Sequence, residues 1–221
     1  IGSVNDQQQI KQMIHLDFTY QNPSLSMQIK VKTKSQIVCL HGHSGIGKTT
    51  ILNIIAGIKE PHHGFIYIAD KRLFDRNKKI NIAPQFRDVG YIFQDLRLFS
   101  HLSVKDNITF GALKHDNYNA IIDLMDIDEL LHKNIRSLSG GESQKVSIAR
   151  ALVKSPKILL IDESFHAIDK QYRDQLIKKL HNHIIKNQII TILISHQLSD
   201  AKKYSAEIIR IKKEKGIVVA E

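Results

Sequence analysis

The chain has 221 residues, 42% of them hydrophobic and 24% charged, which is enough for one well-buried core and too apolar for a disordered segment. Its formal net charge is +10, from 32 Lys and Arg against 22 Asp and Glu; that balance suits nucleic acid, an anionic membrane face or an anionic ligand and selects none of them. No run of about 18 apolar residues occurs, the first residues lack the pattern of a signal peptide, and the single cysteine, Cys39, excludes an internal disulfide and fits a reducing cytoplasm.

Ile1 to Gln12 is polar and Gln-rich, and residues 1–12 are expected to be a tag remnant or an ill-ordered extension ahead of a domain spanning 13–221. Apolar alternation begins at Met13-Ile14-His15-Leu16-Asp17-Phe18, turns over between Tyr20 and Ser24, and resumes through Leu25, Met27, Ile29 and Val31, the pattern of a β hairpin. Gln36 to His41 reads as a buried strand and Thr50 to Ala56 as a helix that stops at Gly57. Pro61 to Gly64 is a turn, followed by strands over Phe65 to Ala69 and Val89 to Phe93, the second ending at Gln94.

Ser103-Val104-Lys105-Asp106 opens a helix with a variant capping box, and Ala120 to Met125 and Glu129 to Lys133 add helical runs. A buried strand returns at Ile158 to Ile161, an amphipathic helix covers Asp169 to Lys186, and Ile189 to Ser195 is another buried strand. Ile208 to Ile211 and Ile217 to Val219 close the chain as a hairpin. Basic residues are scattered or in short runs such as Lys78-Lys79 and Lys212-Lys213, without aromatic interleaving, so nucleic acid is not an expected partner.

Between the strand ending at His41 and the helix from Thr50 lies Gly42-His43-Ser44-Gly45-Ile46-Gly47-Lys48-Thr49-Thr50, which meets the G-x-x-x-x-G-K-[ST] phosphate-loop pattern in its required context. The glycines let successive N–H groups turn toward phosphate oxygens, and the helix N-terminus adds partial positive charge. Lys48 then bridges the β- and γ-phosphates and Thr49 ligates Mg²⁺. The strand Ile158 to Ile161 ends in Asp162-Glu163, where one carboxylate suits Mg²⁺ and the next an attacking water.

Leu138-Ser139-Gly140-Gly141-Glu142 enters a helix over Gln144 to Leu152 and makes a second anion-binding N-terminus. One nucleotide does not need two such cradles from one chain, so the simplest geometry closes a nucleotide between two copies. Tyr20 admits two readings, a base-stacking aromatic or a hairpin packing residue.

With these motifs in this order, nearly all of residues 13–221 resembles the ATP-binding subunits of ABC transporters, in which the Ser-Gly-Gly turn is the signature. The resemblance implies an α/β fold: a RecA-like phosphate-loop ATPase core over about 13–95 and 156–221, an antiparallel β subdomain at its start, and an inserted helical subdomain over about 96–155. It implies ATP and Mg²⁺, a homodimer in the ATP-bound state, and integral membrane permease subunits with an extracytoplasmic binding protein, which puts the chain at the cytoplasmic face of the membrane. By the same resemblance Tyr20 stacks on the base, Gln94 touches Mg²⁺ and senses the membrane partner, Asp169 is the D-loop aspartate and His196 contacts the γ-phosphate. Lys48, Glu163 and His196 are then catalytic, and Thr49, Gln94 and Asp162 hold the metal. Gly42 to Thr50 bind the nucleotide together with Tyr20, Gln94, Ser139, Gly140, Gly141 and Asp169.

Several positions depart from the family pattern. Glu142 stands where many members have Gln and Lys145 where Arg is usual, which is expected to tune activity; Ser164 replaces a common Pro and His166 a common Ser, which bears on the rigidity of the D-loop. His41 and His43 flank the first glycine of the loop, and the plain expectation is one packed and one solvent-facing, against a pH-sensitive nucleotide affinity. His62-His63 lacks a third ligand and is discounted as a metal site.

A DNA-maintenance ATPase would need a coiled coil between Lys48 and Ser139, for which there is no room, and a switch without turnover would not need Glu163 and His196. The run Arg87-Asp88-Val89-Gly90-Tyr91-Ile92-Phe93-Gln94-Asp95-Leu96-Arg97-Leu98-Phe99 looks most like molybdate importers, although importers of sulfate, sugars and iron share much of it. Many molybdate-type subunits continue into an oxyanion-binding β domain, which is not expected after Glu221.

Overall fold

The computed structural model describes residues 14–110, 117–163, 170–195 and 198–220. A hairpin of β1 (Ile14–Asn22) and β2 (Leu25–Thr33) comes first, β3 (Ile37–His41) feeds α1 (Lys48–Ala56), and β4 (His63–Ile68), β5 (Lys71–Asp75) and β6 (Ile80–Asn81) lead to β7 (Val89–Ile92). Three helices follow: α2 (Val104–Thr109), α3 (Tyr118–Met125) and α4 (Gly140–Leu152). Then come β8 (Ile158–Asp162), α5 (Lys170–Lys186), β9 (Ile190–Ile194), α6 (Leu198–Lys203), β10 (Glu207–Glu214) and β11 (Ile217–Ala220).

These eleven strands form a sheet in the order β6-β5-β4-β1-β2-β11-β10-β3-β9-β8-β7. Its first half is antiparallel, through β1, β2, β4, β5 and β6. Its other half is parallel, through β3, β9, β8 and β7. The strand β10 joins the two, running parallel to β3 over residues 207–210 and antiparallel to β11 over residues 211–214.

Parallel strands covered on both faces must be apolar at every position, and all five residues of β8 and of β9 are buried. Alternation sends Leu159, Ile161 and Leu193 into a core shared with α2, α3, α4 and α5. Ile158, Leu160, Ile190 and Ile192 face a second core, which holds α1 and the inner faces of the antiparallel strands. Thus α1 packs on one face of the parallel strands and α4 with α5 on the other.

Several elements differ from the sequence-based expectation. Glu129 to Lys133 forms no α-helix, only a 3₁₀ turn over Asp128–Leu130. The carbonyls of Leu131 and Lys133 instead accept the Lys105 and Val104 N–H groups at 3.1 and 3.2 Å, satisfying donors that the start of α2 leaves unpaired. The strands β5 and β6 and the helix α6 were not anticipated; β5 is short, begins Lys71-Arg72, and follows a register shift at Ile66/Tyr67 that breaks the alternation. The strand expected from Phe65 starts at His63, which is possible because Gly64 takes φ 93° and a Cβ there would lie 1.9 Å from the Asp17 carbonyl oxygen.

Candidate nucleotide site

The loop between β3 and α1 is shaped by its glycines. Gly45 and Gly47 take φ 74° and 110°, in the left-handed region, and Gly42 lies so close to β10 that a Cβ would stand 2.5 Å from the Ile211 carbonyl oxygen. The helix starts at Lys48, two residues earlier than its apolar periodicity indicates, so the loop runs directly into the orphan N–H groups of the first turn. Lys48 is buried, and its Nζ donates to the carbonyls of Gly42 at 2.8 Å and His43 at 2.9 Å. The ammonium is thereby held inside the ring of the loop by the backbone.

At the end of β8, Asp162 is buried and accepts a hydrogen bond from the Thr49 hydroxyl at 3.2 Å. Burial raises the Asp162 pKa, and the neighbouring Glu163 carboxylate adds to the rise, while the Thr49 bond and the Lys48 charge oppose it. Burial likewise lowers the Lys48 pKa, opposed by Glu163 and Asp162. Both charged forms are short of solvation, an arrangement that phosphate oxygens and a divalent cation would relieve. Glu163, the next residue, is half-buried at φ 44°, and its N–H donates to the Ile194 carbonyl at 3.3 Å. A non-glycine residue in the left-handed region costs energy, and such strain clusters where function fixes a side chain.

The neighbouring strand ends beside them: Ile92 of β7 pairs with Ile161 of β8, and Gln94 follows as an exposed residue. Tyr20 lies opposite Met27 across the hairpin, and Met27 is in turn the side chain nearest to where a Gly47 Cβ would stand. Its half-buried ring has His62 edge-on with centroids 5.8 Å apart and the Lys59 ammonium 5.7 Å from its centroid. His43 is exposed and His41 half-buried, with a buried Nδ1 that has no hydrogen-bond partner among the described residues. Asp169, His196, Ser164 and His166 lie outside the described residues.

Ser139, Gly140 and Gly141 form the start of α4, on the far face of the sheet from α1. Ser139 caps the helix: its Oγ accepts from the Glu142 N–H at 3.2 Å, and its own N–H donates to Glu142 Oε2 at 2.7 Å. A Cβ on Gly141 would meet nothing within 4 Å, so the first turn is open to an approaching group. Sequence reasoning treated Glu142 only as a departure from Gln; the Ser-x-x-Glu spacing carried the capping box in plain view.

Arg87 was missed altogether as a determinant of this site. It is fully buried behind α1, donating to the carbonyls of Ile54 at 3.0 Å, Ile55 at 2.8 Å and Ile82 at 2.6 Å and to Asn81 Oδ1 at 2.9 Å. It closes the C-terminus of the helix whose N-terminus faces the phosphate loop. Burial lowers its pKa to about 10, so it remains charged at neutral pH.

A glycine-lined loop between a parallel strand and a helix, with a buried lysine inside it and a carboxylate on the adjacent strand, defines a phosphate-loop nucleotide-binding protein. Residues 24–166 match the family model for ABC transporters, and the chain belongs to that family. It is 35% identical over 205 residues to the molybdenum import ATP-binding protein ModC of Rhodospirillum rubrum, covering 90% of this chain and 55% of that protein. The protein of the same name from Vibrio parahaemolyticus is 38% identical over 182 residues, covering 81% and 50%. The chain therefore spans about half the length of the curated relatives it matches. Among solved structures, cbiO1 of Clostridium perfringens, described as part of the ABC transporter complex cbiONQ, superposes with a TM-score of 0.74 at 26% identity, covering 94% of this chain and 86% of that one.

Proposed function

We propose that this chain hydrolyses ATP to drive import of molybdate or a related oxyanion through separate membrane subunits, at the cytoplasmic face of the membrane. The observation that carries the ATPase reading is the buried Lys48 within its loop beside the Thr49–Asp162 pair. Lys48 and the loop N–H groups hold the β- and γ-phosphates, Tyr20 supports the base, and Glu163 orients water for in-line attack. Magnesium, when bound, offsets phosphate charge; Thr49, Asp162 and Gln94 offer it oxygen donors. Asp169 and His196 are assigned from the family pattern, as D-loop aspartate and γ-phosphate contact.

The two phosphate cradles of one chain sit on opposite faces of its parallel strands, so a shared nucleotide requires the Ser139 turn of a second copy. Mixing a Lys48→Ala chain with a Ser139→Arg chain rebuilds one composite site, with Lys48 from one and Ser139 from the other. ATP-dependent association in the mixture, followed by light scattering, is expected to exceed the sum of the two chains alone; equality with that sum defeats the shared site.

A groove of about 360 Å³ between β7 and α4 offers a seat for the membrane subunit, lined by Tyr91, Phe93, Arg97, Phe99, Phe110 and Arg150. Stacked Tyr91 and Phe93, with centroids 3.9 Å apart, give it an apolar floor, and Arg97 and Arg150 give it a cationic rim. The cargo reading rests on the relatives named above and on residues 87–99. Deleting the chain in its host is expected to abolish high-affinity molybdate uptake, restored by the intact chain and not by Lys48→Ala. Unchanged uptake at nanomolar molybdate, in a strain with no second importer, removes the cargo assignment and leaves the ATPase.

A further inference from the structure

The Ser139 turn poses an electrostatic problem. The capping box that orders it uses a carboxylate, so a negative charge stands on the very turn that, in the composite site proposed above, receives a phosphate anion. The carboxyl does not escape by protonation, because the Ser139 N–H bond, with the Ser139 hydroxyl, holds the Glu142 pKa below the usual range. Its two oxygens have different tasks. Oε2 accepts the Ser139 N–H, whereas Oε1 lies 3.5 Å from the Lys133 Nζ.

The backbone of Lys133 is fixed at both ends: its N–H donates to the Leu130 carbonyl at 2.9 Å, and its carbonyl accepts the Val104 N–H at 3.2 Å. The refusal of residues 129–133 to form a helix thus delivers an ammonium to the signature turn. On the serine side, Oγ spends an acceptor lone pair on the Glu142 N–H, and its proton, which serves the Glu142 carboxylate at rest, is the donor that can be turned to a phosphate oxygen.

We infer that Glu142 and Lys133 are a coupled pair of positioning residues, Glu142 holding Ser139 in place on the first turn for the partner's γ-phosphate and Lys133 cancelling the charge this introduces. The inference rests on the composite-site reading and adds to it a second requirement, local neutrality of the turn. It separates two properties of Glu142 that substitution can dissect. Glu142→Gln keeps an acceptor for the Ser139 N–H and removes the charge; Glu142→Ala removes both; Lys133→Ala leaves the charge uncancelled.

The experiment uses the full chain in a Glu163→Gln background, titrating ATP with Mg²⁺ and reading dimer formation by sedimentation velocity, with thermal unfolding of each variant alongside. Lys133→Ala is expected to raise the ATP concentration for half-maximal association about fivefold, the scale of one uncompensated unit charge a few ångströms away in water. Adding Glu142→Gln to it should restore the parent value, and Glu142→Gln alone should associate at the parent concentration or below. Glu142→Ala should associate less readily than Glu142→Gln. A Lys133→Ala chain that associates like the parent, or a double variant that melts like the parent yet does not recover, overturns the pairing. Complete lack of ATP-driven association in the Glu163→Gln parent is a different failure, since it removes the composite site itself.

Discussion

Glu163→Gln is expected to lower steady-state phosphate release by at least about a hundredfold, the lower end of what a positioned acid–base group contributes, while ATP still binds. The amide preserves the shape of a side chain held at φ 44° next to Asp162 and loses the charge that orients water. Because the strain belongs to the backbone, the variant should unfold at the parent temperature, which separates loss of chemistry from loss of structure. A long-lived ATP-bound dimer should accumulate. Turnover within a few-fold of the parent, measured in a phosphate-release assay with saturating ATP and Mg²⁺, would falsify the role given to Glu163.

Arg87→Ala is the second large effect, and it is one of stability. The substitution strands the buried Ile55 carbonyl and the part-buried Ile82 carbonyl, and takes one partner from Ile54, whose carbonyl still accepts the Gly57 N–H, and one from the exposed Asn81 side chain. Each unsatisfied buried acceptor costs about 1–3 kcal/mol, and partial access of water to the vacated space lowers the total. A loss of about 3 kcal/mol or more is expected, a fall in Tm of roughly 6–12 °C for a chain of this size. Arg87→Lys retains the charge without the planar fork and should recover only part. If urea denaturation places Arg87→Ala within about 1 kcal/mol of the parent, then Arg87 does not close α1 as described.

The Arg87 result also bears on what the sequence was able to say. The run from Arg87 to Phe99 resembles molybdate importers, yet its first half serves the fold: Arg87 closes α1, a Cβ on Gly90 would stand 2.4 Å from the Ala151 carbonyl oxygen, and the Tyr91 hydroxyl donates to Asn53 at 3.1 Å. Its later residues Phe93, Arg97 and Phe99 complete the lining of the groove that Val89, Gly90 and Tyr91 begin, and Gln94 follows β7 as an exposed residue.

What was legible was local. The strands β3, β8 and β9 announced themselves as unbroken apolar runs, and the phosphate loop as a spacing of glycines and lysine. What was hidden depends on partners distant in the chain: the bonds from Arg87 to α1, the use of the Leu131 and Lys133 carbonyls by α2, and the register shift before β5. Within the site, the pairing of Thr49 with Asp162 was foreseeable from motif order, whereas the positive φ of Glu163 was not, since glutamate has no preference for that conformation.

The placement of β3 has a bearing on how the molecule comes into being. This strand, which carries the phosphate loop, is flanked by β9 on one side and β10 on the other, both far downstream of it in the chain. While a ribosome is still extending the chain, the loop has neither neighbour, and Gly42 lacks the Ile211 backbone against which it packs. The nascent chain therefore cannot seat a nucleotide until β10 has emerged, so ATP cannot assist the earlier stages of folding and can only trap the sheet once β10 has joined it. Such dependence on remote pairings makes for slow folding and leaves the apolar strands β3 and β8 uncovered in the interval. Truncation within the β10–β11 hairpin should thus silence the nucleotide site that β3 carries far upstream.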